Sequence, residues 1–233
     1  MKALLVIAGL VITLGLWYGP GVIARRLADR RLIRATRGQG VLALTYDDGP
    51  GPNTTPALLD LLAEHDAKAT FFMVGRCAEA APELTRRVAE EGHTIGWHSH
   101  RHRNQWKSDP IRAVIDVWRP PTLLDSGPTS VRVFRPPYGK MNLGTVLACL
   151  ARGLPIITWT HASGDTFATL PEVGDIVDAV RREGGGVVLM HDNDRGDASR
   201  APWVLDLTAR LLQLAREQNW RIIASPPDWN ASR

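Results

Sequence analysis

Val41-Leu42-Ala43-Leu44-Thr45-Tyr46-Asp47-Asp48-Gly49-Pro50 is an apolar run that ends in two carboxylates and a Gly-Pro turn. Four aliphatic residues followed by Thr and Tyr read as a buried strand, and Gly-Pro stops it. Asp-Gly is ordinary turn chemistry, so one reading of the pair is an acidic turn. The other is that the strand delivers two carboxylates to its carboxyl end for use there. The rest of the chain decides between them.

Outward from this stretch the same pattern repeats. After Gly38-Gln39-Gly40, short β-rich runs alternate with longer amphipathic ones, as in repeated βα units. Strands are expected near 41–46, 69–74, 93–97, 131–134, 155–159, 187–191 and 220–224. Helices are expected near 55–65, 80–91, 110–124, 141–152, 172–183 and 201–218. Pro56, Pro82, Pro110, Pro171 and Pro202 sit at or near the starts of five of them, where proline is tolerated. Seven βα units predict an α/β barrel, closed or nearly so. Asp47 and Asp48 then follow the first strand, His98 and His102 the third, Arg135 the fourth and Asp165 the fifth, and His191 ends the sixth. All lie at carboxyl ends of strands, the face on which parallel α/β barrels build active sites. Scattered surface charges would not keep choosing that face, which favours the functional reading of the Asp pair.

Length and composition fit one catalytic body. The chain has 233 residues, 44% of them hydrophobic, enough for a single domain with a full core. Its net charge of +4 is carried by the beginning: Lys2 and six arginines from Arg25 to Arg37, against Asp29, leave residues 38–233 near −2. A mildly acidic body argues against a nucleic-acid partner. Ala3 to Ala24 run without a charge and are long enough to span a bilayer. We divide the chain into residues 1–37, a hydrophobic helix with a basic juxtamembrane stretch, and 38–233, the catalytic domain. A cleaved signal peptide competes, since Val22-Ile23-Ala24 resembles a cleavage site, but Arg25-Arg26 follows it directly. The arginines place the body in the cytoplasm by the positive-inside rule. Cys77 and Cys149 lack metal-ligand spacing and read as buried apolar residues.

His98 and His102 are four apart, so one helical turn would turn both imidazoles to one side. With one carboxylate of the Asp pair they form a two-histidine, one-aspartate set that suits a catalytic zinc; cobalt, nickel or iron also fit. A solvated His-rich surface stretch is the alternative for His98 to His102. The second carboxylate is placed to take a proton from water activated by the metal, and His191 to give one to a leaving group, an arrangement for amide or ester hydrolysis. Arg135, in a Pro-rich turn, could orient a carboxylate bidentately or form a structural salt bridge.

TYDDGP (45–50), GHTIGWHSHRH (92–102), FRPPYG (134–139) and LMH (189–191), in this order, resemble the motifs of the polysaccharide deacetylases, carbohydrate esterase family four or the nodulation-protein-B homology domain. The likeness runs from about residue 40 to 224. It implies a distorted (β/α)7 barrel that removes N-acetyl groups from an amino sugar. By motif position it implies Asp47 as general base, Asp48, His98 and His102 as metal ligands and His191 as general acid. Arg135 then holds the base, the Tyr138 backbone N–H donates to the oxyanion and Asp165 tunes His191. Pro137, Tyr138 and Leu189, within the same motifs, are implied to contact substrate. Ala162 and Thr166 depart from the pattern, standing where many members have an aspartate and a closing tryptophan, so the acyl pocket is expected to be larger or more polar. Trp97 stands where Asn is common, and His100 is a further imidazole between the two ligands.

Trp106 and Trp203 are expected in loops on the catalytic side, where an indole could stack on a sugar. His65, His93 and His161 read as structural, and Asp192, Asn193 and Asp194 as a loop. The partners expected are an N-acetylated glycan or glycolipid and a membrane. The resemblance favours the cell envelope over the cytoplasmic side. Two alternatives stand beside deacetylation: a deformylase or O-deacetylase acting on a lipid-linked sugar, and an inactive carbohydrate-binding domain.

Overall fold

A computed structural model describes residues 2–125, 133–194 and 200–224. A long helix, α1 (Lys2–Thr36), leads into β1 (Val41–Asp47), α2 (Thr54–Glu64), β2 (Thr70–Met73), α3 (Gly75–Ala80), α4 (Pro82–Glu90) and β3 (Thr94–Trp97). Then come α5 (Pro110–Trp118), α6 (Thr122–Asp125), β4 (Val133–Phe134), a 3-10 turn (Pro137–Gly139), α7 (Leu143–Ala151) and β5 (His161–Ala162). The chain closes with α8 (Val173–Glu183), β6 (Gly185–His191), α9 (Ala201–Glu217) and β7 (Arg221–Ile222). The tail from Pro226 and residues 131–132 of the expected fourth strand lie outside the described residues.

All strand pairs are parallel, in the order β4-β3-β2-β1-β6-β5, with β7 beside the start of β1. β1 is buried along its whole length and alternates in destination. Leu42, Leu44 and Tyr46 join a cluster with Leu58 and Leu62 of α2 and Leu207 and Leu211 of α9. Ala43 faces the other way, into an interior layer with Phe72, Val133, Ile157 and Val187. Thr45 and Asp47 share Ala43's parity, so the strand that fills the core also aims Asp47 into the barrel.

The distortion lies at the fifth strand. An extended strand over 155–159 is expected, yet only Ile156 bridges β4, and β5 is His161–Ala162 on β6. The segment changes neighbours midway: the Ile157 N–H donates to the Phe134 carbonyl, whereas Thr160 and Ser163 donate to Val187 and Leu189. It thereby links the β4 edge of the sheet to the β6 edge. The single helix expected over 110–124 is two, α5 and α6. Pro120-Pro121 removes two N–H donors there, and proline disfavours helical backbone in the residue before it, here Arg119.

α1 lies beside this segment, with Ala28 and Leu32 next to Pro155, Ile156 and Ile157. Leu4 to Leu16 are exposed, whereas from Trp17 onward the helix lies against the barrel. Gly21 meets Met141 so closely that a Cβ would sit 2.1 Å from its carbonyl oxygen. Leu32, 2% exposed, completes the interior layer with Ala43, Phe72 and Val187. Leu32→Ala is expected to destabilise the fold by about 2–5 kcal/mol, read from chemical denaturation.

Candidate active site

The cavity at the carboxyl ends of the strands measures ≈ 460 Å³ and is lined by Asp47, Asp48, His98, His102, Asp165 and His191 together with Tyr138, Trp159, Leu189 and Asn193. Residues far apart in sequence meet here because each ends, or follows, a parallel strand.

Asp47 and Asp48 diverge at the end of β1. Asp47 keeps strand geometry, and its Oδ1 accepts from Arg135 Nη1 at 2.7 Å. Asp48 turns into left-handed backbone, φ 76°, and swings its carboxylate to the histidines. Its Oδ1 lies 2.8 Å from His102 Nε2 and 3.4 Å from His98 Nε2. Burial raises the Asp48 pKa, but the two imidazoles outweigh it and hold the carboxyl well below the usual range.

The two histidines converge without the helical turn expected from their spacing. β3 stops at Trp97, and the chain reverses through Ser99 (φ 64°) and His102 (φ 54°), bringing the rings to 5.1 Å. Six non-glycine residues have positive φ among the described ones, and Asp48, Ser99, His102 and Tyr138 (φ 57°) are four of them. Each costs about 1 kcal/mol or more relative to right-handed backbone, so strain is concentrated at this cavity.

Asp48, His98 and His102 offer ligand atoms within 4.8 Å of one another. His98 Nδ1 donates to the Arg135 carbonyl at 2.8 Å, which leaves the Nε2 lone pair facing the group. Two imidazole nitrogens and one carboxylate, so oriented, fit a divalent cation with open positions. His100 is turned away toward Glu79.

Arg135 is fully buried beneath Asp47 and does not line the cavity. Nη1 also donates to Thr45 Oγ1 and Nη2 to the Thr158 carbonyl, both at 2.8 Å, while the guanidinium lies 4.0 Å over the Phe72 ring. Burial pulls its pKa down and Asp47 opposes this. A guanidinium stays charged in such a site. Across the cavity, Asp165 Oδ1 pairs with His191 Nδ1 at 2.8 Å, and Oδ2 accepts from the His191 N–H at 2.7 Å. Burial alone would lower the His191 pKa; the Asp165 hydrogen bond and charge, with Asp47 and Asp48 behind it, outweigh that and raise it to about 9.

Tyr138 sits in the 3-10 turn, with its ring 4.8 Å from His102. Leu189 lines the cavity, as does Pro136; Pro137 is buried in the turn and does not. Ala162 and Thr166 both line it, beside Trp159 and the exposed Phe167. Trp203, expected in a loop, belongs to the first turn of α9 and donates to the Pro171 carbonyl. Trp106 is in a catalytic-side loop outside the cavity lining, and its Nε1 donates to the Met141 carbonyl. Cys149 is buried and Cys77 half-buried.

Asn193 carries no sequence signal. Its Nδ2 donates to Asp48 Oδ2 at 3.0 Å. Its neighbours hold it there: Asp192 accepts from Thr55 Oγ1 at 2.6 Å, and Asp194 accepts from the Thr54 N–H at 3.1 Å at the start of α2. Asn193→Ala is expected to weaken metal affinity about 10–100-fold, measured by competition with a chromogenic chelator.

Against known proteins, a family model described as polysaccharide deacetylase matches residues 34–156. A peptidoglycan-N-acetylglucosamine deacetylase of Bacillus cereus is 31% identical over 187 residues, 78% of this chain and 85% of that protein. A chitooligosaccharide deacetylase of Azorhizobium caulinodans is 33% identical over 163 residues, 68% of this chain and 77% of that protein. Among solved structures, a family 4 carbohydrate esterase from Streptomyces lividans in complex with acetate superposes with a TM-score of 0.68 and 28% identity, over 80% of this chain and 93% of that one.

Proposed function

We propose, because this chain belongs to the polysaccharide deacetylase family, that it hydrolyses the N-acetyl group of an amino sugar in a glycan or glycolipid. The observation that carries the reading is one cavity holding the Asp48–His98–His102 group, the Arg135-bound Asp47 and the Asp165-bound His191. A divalent cation held by Asp48, His98 and His102, with zinc the first choice, would act as a Lewis acid toward the acetyl carbonyl and toward water. Asp47 takes the proton of the attacking water, with its orientation fixed by Arg135. The Tyr138 N–H, presented by left-handed backbone, donates to the oxyanion of the tetrahedral intermediate. His191, its Nδ1 engaged by Asp165, protonates the leaving nitrogen from Nε2. Trp159, Phe167 and Leu189 supply apolar wall for the acyl methyl and the sugar. A complete set of base, ligands, arginine and acid favours catalysis over an inactive glycan-binding role.

α1 is long and apolar enough to cross a membrane, and we read it as an uncleaved span. The Gly21–Met141 contact and Leu32 in the barrel interior support this, because they make the helix continuous with the fold. The domain division at 37/38 thus separates two parts that touch, and we assign the body to the cell envelope. The test is acetate release from N-acetylated oligosaccharides together with metal analysis of Asp48→Ala and His102→Ala. Both variants are expected to lose bound metal and activity. Stoichiometric zinc retained in both would remove the site.

A further inference from the structure

α1 approaches the barrel from the catalytic side. Arg25 Nη1 donates to the Gly139 carbonyl at 3.0 Å, one residue beyond Tyr138, and its guanidinium lies 5.1 Å over Trp159 in the cavity wall. Leu32 is already in the interior layer below, and the Thr36 carbonyl lies against Gly185 at the foot of β6. Arg25 is therefore level with the catalytic rim, and the helix before it stays on the rim side, with Gly21 against Met141. Tyr18 still touches the rim, donating to the Trp106 carbonyl at 3.1 Å. At about 1.5 Å per residue, Leu16 stands roughly 14 Å beyond Arg25 along the helix. The exposed stretch from Leu4 to Leu16 thus leaves the barrel at its catalytic end and not at the opposite one.

The projecting part has no polar face. Leu4, Leu5, Val6 and Ile7 are consecutive and 59% to 73% exposed, so no single groove in a protein partner would cover them. A bilayer covers a helix on all sides. The junction has the chemistry of a membrane interface: Tyr18 packs edge-on against Trp106, Lys140 Nζ lies 4.2 Å over the Trp106 ring, and Lys107 is exposed beside it. On the cavity lip, Tyr138 and Phe167 are 58% and 60% exposed.

We propose that α1 is a rigid strut that turns the catalytic mouth toward the bilayer, so that the preferred substrate is an N-acetylated sugar tethered to lipid. This rests on the deacetylase reading and on α1 as a span. The strut touches the site directly, since Arg25 braces the turn that carries Tyr138.

The test uses the full chain in vesicles of phosphatidylcholine and phosphatidylglycerol carrying an acceptor dye on a headgroup. With Cys77→Ser and Cys149→Ala as background, donor dyes are placed at the rim (Lys107→Cys, Ala168→Cys) and at the base (Glu90→Cys, Gln218→Cys). Rim dyes are expected to lie at least about 20 Å closer to the acceptor plane than base dyes, the rise of the seven residues of β1. Equal distances, or a nearer base, overturn the orientation. On the unaltered chain, acylation by a water-soluble reagent reads the same geometry: Lys107 is shielded in vesicles relative to detergent and Lys68 at the base is not. A four-residue Gly-Ser insertion between Leu16 and Trp17 is expected to shrink the rim-base difference while leaving hydrolysis of a soluble N-acetylated oligosaccharide unchanged. The lipid-tethered form of that sugar is expected to turn over at least tenfold faster than the soluble form, an advantage the insertion removes. No advantage, or one that survives the insertion, overturns the strut. Loss of turnover on both sugars with the rim still near the bilayer overturns the deacetylase reading alone.

Discussion

Asp47→Asn lowers kcat/KM for N-acetyl hydrolysis by about a thousandfold while the metal site still fills. The reason is a division of labour inside one dipeptide. Asp48 Oδ1 reaches both His98 and His102, at 3.4 and 2.8 Å, whereas Asp47 Oδ1 belongs to Arg135 at 2.7 Å and its Oδ2 stays 3.7 Å from His98 alone. An amide in place of the Asp47 carboxylate accepts no proton from water, but it leaves the three ligand atoms where they are. The substitution also strips a fully buried guanidinium of its counter-charge, and breaking such a pair costs about 3–5 kcal/mol. Activity is therefore compared well below the melting transition of the variant, with metal content measured on the same sample. A kcat/KM within tenfold of the parent would remove Asp47 from the role of base.

Asp165→Asn cuts activity about 30-fold at pH 8 and much less at pH 6. As the proposed general acid His191 acts in its protonated form, and in the folded protein its pKa is raised to about 9, so activity is expected to hold up to that region and fall above it. Removing the carboxylate takes away both the hydrogen bond and the charge that overcame burial, and the alkaline limb moves toward the ordinary histidine value. Stability follows the same sign. The pairing stabilises the fold fully below the unfolded pKa near 6.5 and loses that contribution as pH rises through about 9. A purely structural Asp165 would lower activity equally at all pH values and leave the limb in place.

Much of this site is legible in the chain because parallel barrels place chemistry at strand ends. Reading Val41–Tyr46 as a strand already puts Asp47 and Asp48 at the rim, and the same logic collects His98, Arg135 and His191. What escapes the sequence are features without a period. β5 is two residues long on β6 after a segment that first served β4, and such a change of neighbours has no hydrophobic signature. The reversal that joins His98 to His102 depends on left-handed Ser99 and His102, which residue type does not announce. Asn193 reaches Asp48 only because Asp192 and Asp194 pin the loop to α2. The break at Pro120-Pro121 could have been read from proline chemistry alone.

Leu32 gives the order of assembly a direction. It completes a layer whose other members, Ala43, Phe72, Val133, Ile157 and Val187, are spread over most of the chain. Contacts of such separation form late, after the loop-closure entropy of the intervening units has been overcome. The helix that carries Leu32 nonetheless precedes every βα unit in the chain and leaves the ribosome before them, and its apolar half cannot wait in water. Synthesis therefore commits α1 to its surroundings before the barrel exists, and the βα units condense one after another onto a helix that is already in place.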